Sequence, residues 1–153
     1  MKPAALDAYI TDIHSLGIQT AQGIFLTTAW YWDLNEDTRA FAKRFFERKG
    51  KEPTMSQAAC YSATLRYLKA VKAVGTTDSE KVMAELKGTK IHDMFTQGGP
   101  IRADGMMIHD MYVMQVKTPQ ESKYSWDYYK VVKKMSGEEA FGPITGLCPL
   151  APK

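Results

Sequence analysis

Arg44-Phe45-Phe46-Glu47-Arg48-Lys49-Gly50-Lys51-Glu52-Pro53-Thr54 reads as the end of one helix, a bend, and the start of the next. Upstream of it, Asn35 is suited to cap a helix from Glu36 to Lys49, with Phe41, Ala42 and Phe45 on one side and Gly50 as its stop. Glu36 and Asp37 open that helix, and Lys43, Arg44, Arg48, Lys49 and Lys51 crowd toward its end. This order complements the helix dipole, so the basic cluster reads as a solvated face and not as a patch for nucleic acid. Downstream, Pro53 and Thr54 punctuate the chain. Thr54 caps a longer helix to Gly75 whose expected inward stripe is Ala58, Tyr61, Leu65, Leu68 and Val71. Asp78 caps a third helix, carrying Val82 and Leu86 and ending at Gly88.

Outward from this helical centre the pattern turns mixed. Pro3, Leu6, Tyr9, Ile10 and Ile13 have helical spacing before Gly17. Ile24 to Thr28 is a compact apolar and β-branched run, the kind expected of a strand buried on both faces. Trp30-Tyr31-Trp32-Asp33-Leu34 has no period and reads as a loop. Beyond Gly88, Asp104-Gly105 is a hairpin signal between strand-like segments, followed by an apolar run from Met106 to Val116. Trp126 to Val132, rich in aromatic and β-branched residues, predicts a further strand. The tail, with Gly142, Pro143, Gly146, Pro149 and Pro152, reads as irregular. The alternation of helical and strand patterns predicts an α/β chain.

The bulk properties set limits on function. In 153 residues, 44% are hydrophobic and 24% charged, and no run approaches the roughly 20 apolar residues of a membrane helix. The formal charge of +3, from 20 basic and 17 acidic residues, is too weak a field to point to nucleic acid. Cys60 and Cys148 form neither a disulfide framework nor a Cys-x-x-Cys site, so the redox state of the pair stays open. Asp7 interrupts the N-terminus before any apolar region, so no secretory signal is read there.

Several pieces, in order and spacing, resemble one family. They are the Arg44 to Thr54 segment, Ala63-Thr64-Leu65-Arg66-Tyr67-Leu68-Lys69-Ala70-Val71, the Gly75-Thr76-Thr77-Asp78 turn, Leu86-Lys87-Gly88, and Gly99-Pro100-Ile101-Arg102-Ala103-Asp104-Gly105. Together they resemble the C-terminal part of periplasmic solute-binding proteins of the branched-chain amino acid ABC-transporter type, the type I, leucine/isoleucine/valine-binding group. Tyr31-Trp32-Asp33-Leu34-Asn35, His109-Asp110-Met111-Tyr112, Trp126-Asp127-Tyr128-Tyr129-Lys130 and Cys148-Pro149-Leu150 are similar to a subgroup that takes small organic acids, some aromatic, as well as amino acids. The resemblance implies two three-layer α/β/α lobes with the ligand between them, the N-terminal portion lying outside this chain. It also implies a periplasmic location and an ABC permease as partner of the complete receptor. Residues 1–29 and 119–153 would belong to the second lobe and 30–118 to the first, with hinge crossings at Trp30 to Asn35 and Lys117 to Pro119.

Within that frame Trp30, Tyr31 and Trp32 are the expected ligand walls, because planar aromatics bury much area at low entropy cost. Gln57, at a helix start with an amide able to meet a carboxylate, is the expected polar contact. The same aromatics also suit a plug that packs the lobes together, and Gln57 an ordinary polar first turn. His14, His92-Asp93 and His109-Asp110 do not form a metal cluster, since strand neighbours point to opposite faces. No nucleophile motif is present. Cys60 is expected on a buried helix face, and Met106, Met107, Met111 and Met114 in the core. The expected function is therefore a small-molecule binding module without cofactor and not an enzyme. A ligand-sensing domain of a signalling or regulatory protein with the same architecture is the alternative. A fragment of this kind is also expected to self-associate through open sheet edges.

Overall fold

The structure is a computed structural model that describes residues 3–144. Its elements run α1 (Ile10–Leu16), α2 (Ile18–Ala21), β1 (Phe25–Thr28), α3 (Glu36–Lys49), α4 (Met55–Val74), α5 (Ser79–Gly88), β2 (Ile91–His92), β3 (Gln97–Gly99), β4 (Met111–Val116), β5 (Tyr129–Met135) and α6 (Gly137–Phe141). They fall into two compact units, one made of Met1–Ala58 and Met111–Met135, the other of Ala59–Asp110 and Ser136–Lys153, so that the division passes through α4.

The first unit is built on an antiparallel sheet in the order β1-β4-β5. Leu26 faces Met114 across β1 and β4, and Val116 faces Tyr129 across β4 and β5. These side chains, with Ile10, Ile13, Ala21, Tyr31 and Trp126, form its hydrophobic core. Burial alternates along β1, with Leu26 and Thr28 buried and Thr27 exposed. Ile24 to Thr28 is thus not a strand buried on both faces: it lies at a sheet margin, and one side of its pleat meets solvent. The N-terminal helix also starts later than its spacing predicts, at Ile10, because Pro3 and Ala5 exchange backbone hydrogen bonds with Phe25 and hold that segment extended along β1. Leu6 is left fully exposed.

α3 follows its sequence signals at both ends. The Asn35 side chain accepts from Thr38 N–H at 3.0 Å, Thr38 hydroxyl accepts from Asn35 N–H at 3.0 Å, and Gly50 ends the helix at φ 67°, in the left-handed region that glycine enters freely. Phe41 and Ala42 are its buried residues with Thr38.

In the second unit Ala70 of α4, Val82 of α5 and Ile91 of β2 are buried, and Ser62 hydroxyl donates to Asp93. Arg66 donates from one guanidinium nitrogen to the carbonyls of Glu85 and Thr89, fastening α4 to the end of α5. Asp78 caps α5 as expected, accepting from Lys81 N–H at 3.0 Å. The Asp104-Gly105 hairpin closes through Arg102 N–H to Met106 carbonyl at 2.8 Å, with Gly105 at φ 87°. Ser136 caps α6, which ends just before the tail read as irregular; Gly142 and Pro143 of that tail lie in neither helix nor strand, and Gly146, Cys148, Pro149 and Pro152 lie outside the described residues.

Four expectations about side chains fail here. Tyr61 and Leu68, placed on the inward stripe of α4, are 39% and 56% exposed, because α4 buries its Ser62 and Ala70 side instead, where Ser62 bonds to Asp93. Cys60 is exposed with them. Met106 is 44% exposed beside the hairpin turn, whereas Met114 is fully buried. Trp126 is not in a strand: β5 begins at Tyr129.

Candidate functional site

The aromatic loop after β1 is held by the turn that starts it. Thr28 hydroxyl donates to Trp30 carbonyl at 2.8 Å, a local side-chain bond that ends the strand. Trp30 then packs edge-on against Phe41 at 5.8 Å, and Tyr31 tilts against Tyr129 at 5.1 Å. Both are interior residues, 2% and 5% exposed. The cavity beside them, bounded by Tyr9, Thr28, Pro53, Met55 and Tyr129, measures about 10 Å³, room for no more than one water. Burial pushes the Tyr31 and Tyr129 hydroxyls well above the usual phenol range.

Trp32 is different, being half-buried. Its indole N–H donates to the Trp126 carbonyl at 3.0 Å, and the Tyr31 hydroxyl donates to the same oxygen at 3.2 Å. Trp126 reaches this position with φ at 69°, unusual for any residue other than glycine and costly for a bulky one. The indole of Trp126 lies flat on the His14 ring, centroids 3.9 Å apart and planes within 3°, and His14 Nδ1 stands 2.8 Å from the Tyr128 hydroxyl. The loop and the segment from Tyr124 to Tyr129 are therefore one construction.

Its polar member is Asp33. One carboxylate oxygen accepts from Arg39 at 2.9 Å and the other from the Tyr124 hydroxyl at 2.8 Å. That hydrogen bond, more than burial, pushes the Tyr124 hydroxyl up to about 12. Tyr124 stands edge-on to Trp32 at 6.1 Å and is 51% exposed, so Trp32, Asp33 and Tyr124 form a partly open aromatic and carboxylate patch.

Gln57 stands apart. Its amide oxygen accepts from Thr54 N–H at 2.9 Å while Thr54 hydroxyl accepts from Gln57 N–H at 3.3 Å, the reciprocal box that starts α4. Of the residues expected at the site, the structure joins Tyr31 and Trp32 to the 124–129 segment, packs Trp30 against Phe41 of α3, and gives Gln57 a capping role.

A neighbouring carboxyl went unread in the sequence. Glu52, between the basic end of α3 and Pro53, is 9% exposed, and its Oε2 has no hydrogen-bond partner among the described residues. Burial, with the negative charge of Asp33 added, pushes its carboxyl up to about 6 from 4.5. The folded chain thus holds this proton more tightly than the unfolded chain does. The stabilisation is complete below about pH 4 and fades as pH rises through 6. Replacing Glu52 by Gln is expected to raise stability by about 1 kcal/mol at pH 7 and to leave it unchanged at pH 4. Urea unfolding at the two pH values measures this, and equal effects at both would refute it.

The second unit holds a wider hollow of about 660 Å³ whose lining includes Lys90, Gln97, Arg102, His109, Asp110 and Glu138. Both signs of charge face it, and the Arg102 guanidinium is already committed to Asp104 and to the Gly142 carbonyl at 2.6 Å.

The family model for periplasmic binding proteins matches residues 1–123. The chain belongs to the periplasmic binding protein family. A periplasmic binding protein of Burkholderia mallei shares 54% identity with it over 93% of this chain, at a TM-score of 0.89. The branched-chain amino acid ABC transporter periplasmic ligand-binding protein of Burkholderia xenovorans LB400 shares 46% over 90%, at 0.85. A solute-binding protein of Rhodopseudomonas palustris BisB5, in complex with 3,4-dihydroxybenzoic acid, shares the fold at 16% identity over 84% of this chain, at 0.71. The matches take in 38%, 37% and 35% of those proteins' chains, so this periplasmic binding protein chain spans well under half the length of its solved relatives. No curated protein matches it. The mixed α/β architecture is that of part of the type I fold, as the sequence resemblance implies.

Proposed function

We propose that the chain is the C-terminal part of the substrate-binding component of an ABC transporter, holding an amino acid or an aromatic or other organic acid in an interlobe cleft. The complete receptor would work in the periplasm and deliver its solute to a membrane permease. The observation that carries this reading is the patch of Trp32, Asp33 and Tyr124. Its aromatics are anchored from behind by the Trp126 carbonyl and by the Asp33 carboxylate, yet keep open surface. Such pre-set aromatic walls suit a small solute with a planar or apolar body. The 3,4-dihydroxybenzoic acid bound by the Rhodopseudomonas palustris protein is a solute of that kind.

In the complete receptor we assign residues 30–118 to the first lobe and 1–29 with 119–153 to the second. These lobes would include polypeptide from outside this chain, so they differ from its two compact units. Trp30 and Tyr31 support the site from the interior, and Trp32 is the one that meets the solute.

The test is made in the full-length receptor. A thermal-shift screen of leucine, isoleucine, 3,4-dihydroxybenzoate and glucose comes first. The Trp32→Ala variant is then expected to bind the stabilising acid more weakly by about 1 to 3 kcal/mol in calorimetry, as for a truncated aromatic hot spot. Stabilisation by glucose alone would sink the ligand class, and unchanged affinity in Trp32→Ala would remove Trp32 from the site.

A further inference from the structure

Ile10 and Ile13 bury one face of α1, and His14, one turn on from Ile10, stands at the rim of that face. The core thus fixes the rotation of the helix, with Ile13 1% exposed, and sets the exposed His14 ring down on the indole of Trp126. At 3.9 Å between centroids and 3° between planes, the two rings are stacked face to face. Nδ1 of the same imidazole stands 2.8 Å from the Tyr128 hydroxyl. His14 therefore touches the residues on both sides of Asp127.

Between those two contacts lies the turn that serves the aromatic patch. The Trp126 carbonyl accepts Tyr128 N–H at 2.9 Å, closing a three-residue turn, and the same oxygen accepts the Trp32 indole N–H at 3.0 Å and the Tyr31 hydroxyl at 3.2 Å. An oxygen with two lone pairs meets three donors only over a narrow range of directions, and the left-handed φ of 69° at Trp126 gives it that direction. A bulky residue keeps such a backbone only where its surroundings impose it. The stack on His14 and the Tyr128 contact impose it from the solvent side.

We propose that His14 is a positioning residue for the solute wall: through Trp126 and Tyr128 it holds the turn whose carbonyl sets the indole of Trp32. What Trp32 meets rests on the receptor reading above, whereas what holds Trp32 does not.

Hydrogen exchange of the indole N–H groups reads the contact directly, followed by NMR in the full 153-residue chain with the Trp32 signal assigned through Trp32→Phe. In His14→Ala, exchange at Trp32 is expected to speed up by about tenfold or more, while Trp30, buried against Phe41, keeps its rate. His14→Phe retains a flat ring over Trp126 and is expected to recover most of the protection. Tyr128→Phe removes only a hydroxyl and is expected to lose less than His14→Ala. An unchanged Trp32 rate in His14→Ala overturns the proposal, as does a rise shared equally by Trp30, the mark of general loosening.

In the full-length receptor, His14→Ala is expected to weaken binding of whichever of leucine, isoleucine or 3,4-dihydroxybenzoate stabilises it by about threefold or more, and by less than Trp32→Ala does. If none of the three binds, the receptor reading falls and the exchange result stands. If one binds and His14→Ala leaves its affinity unchanged, His14 does not position the wall.

Discussion

Replacing Asp127 by Ala is expected to lower the unfolding free energy by about 2 to 4 kcal/mol, the range for removing one partner from a buried, hydrogen-bonded charge pair. Asp127 is 1% exposed. Its carboxylate forms an ion pair with Lys117 through one oxygen and accepts Lys123 N–H at 3.0 Å through the other. Lys117 follows directly on β4, and its own N–H donates to the Tyr128 carbonyl at 2.8 Å, so the carboxylate closes the whole excursion between β4 and β5. Without it an ammonium group and a backbone donor lose their partner. Asp127→Asn, which keeps an acceptor for Lys123 N–H, is expected to lose less. Urea midpoints of the two variants give the comparison, and an Ala variant as stable as the parent would show that water replaces the carboxylate fully.

Trp126→Ala is expected to cost more, about 3 to 5 kcal/mol, as for truncating a large buried aromatic. The indole is 6% exposed, lies flat against His14, and belongs to the core with Tyr129 and Met114. The left-handed backbone at this position adds a strain that alanine would inherit without the indole's contacts to offset it. Trp126→Gly separates the two terms. It loses the same packing but relaxes the backbone, and should therefore be no less stable than Trp126→Ala even though glycine is the more flexible residue. A glycine variant clearly less stable than the alanine one, by thermal or urea unfolding, would show that the strain at φ 69° is negligible.

Much of the fold was legible because local signals agreed with one another. Asn35, Gly50, Thr54 and Asp78 are capping residues whose chemistry acts over three or four positions, and the helices begin and end where they stand. Asp104-Gly105 worked for the same reason. Strand limits and burial depend instead on partners far along the chain. Nothing near Ile24 reveals that β1 will lie antiparallel to β4 with only one face covered. The aromatic richness of Trp126 to Tyr129 looks continuous, yet the backbone turns left-handed inside it.

The site shows the same limit. Trp30, Tyr31 and Trp32 look alike in sequence, but contacts with Phe41, Tyr129 and Trp126 bury two of them and leave the third half-open. Glu52 gives no local hint of its burial, since it stands among lysines in a polar bend. Gln57 stands at a helix start, and that place explains its use as a cap. The stripe expected to face inward on α4 is buried at Ala58 but exposed at Tyr61 and Leu68, because which side of a helix is covered depends on distant neighbours that a helical period does not specify.

The outermost strand carries a last consequence. Along β5, Val131 and Val132 are each 51% exposed, and Lys133 and Lys134 follow them, also exposed. Two adjacent valines on a strand whose only ladder among the described residues is with β4 would be an inviting template for fibril growth. Stacking a second β5 on the first would bring rows of ammonium groups together, and that repulsion acts as a gatekeeper against amyloid-like pairing. Because the protection is electrostatic, it weakens as ionic strength rises, so salt becomes the variable that decides how long the chain keeps in concentrated solution.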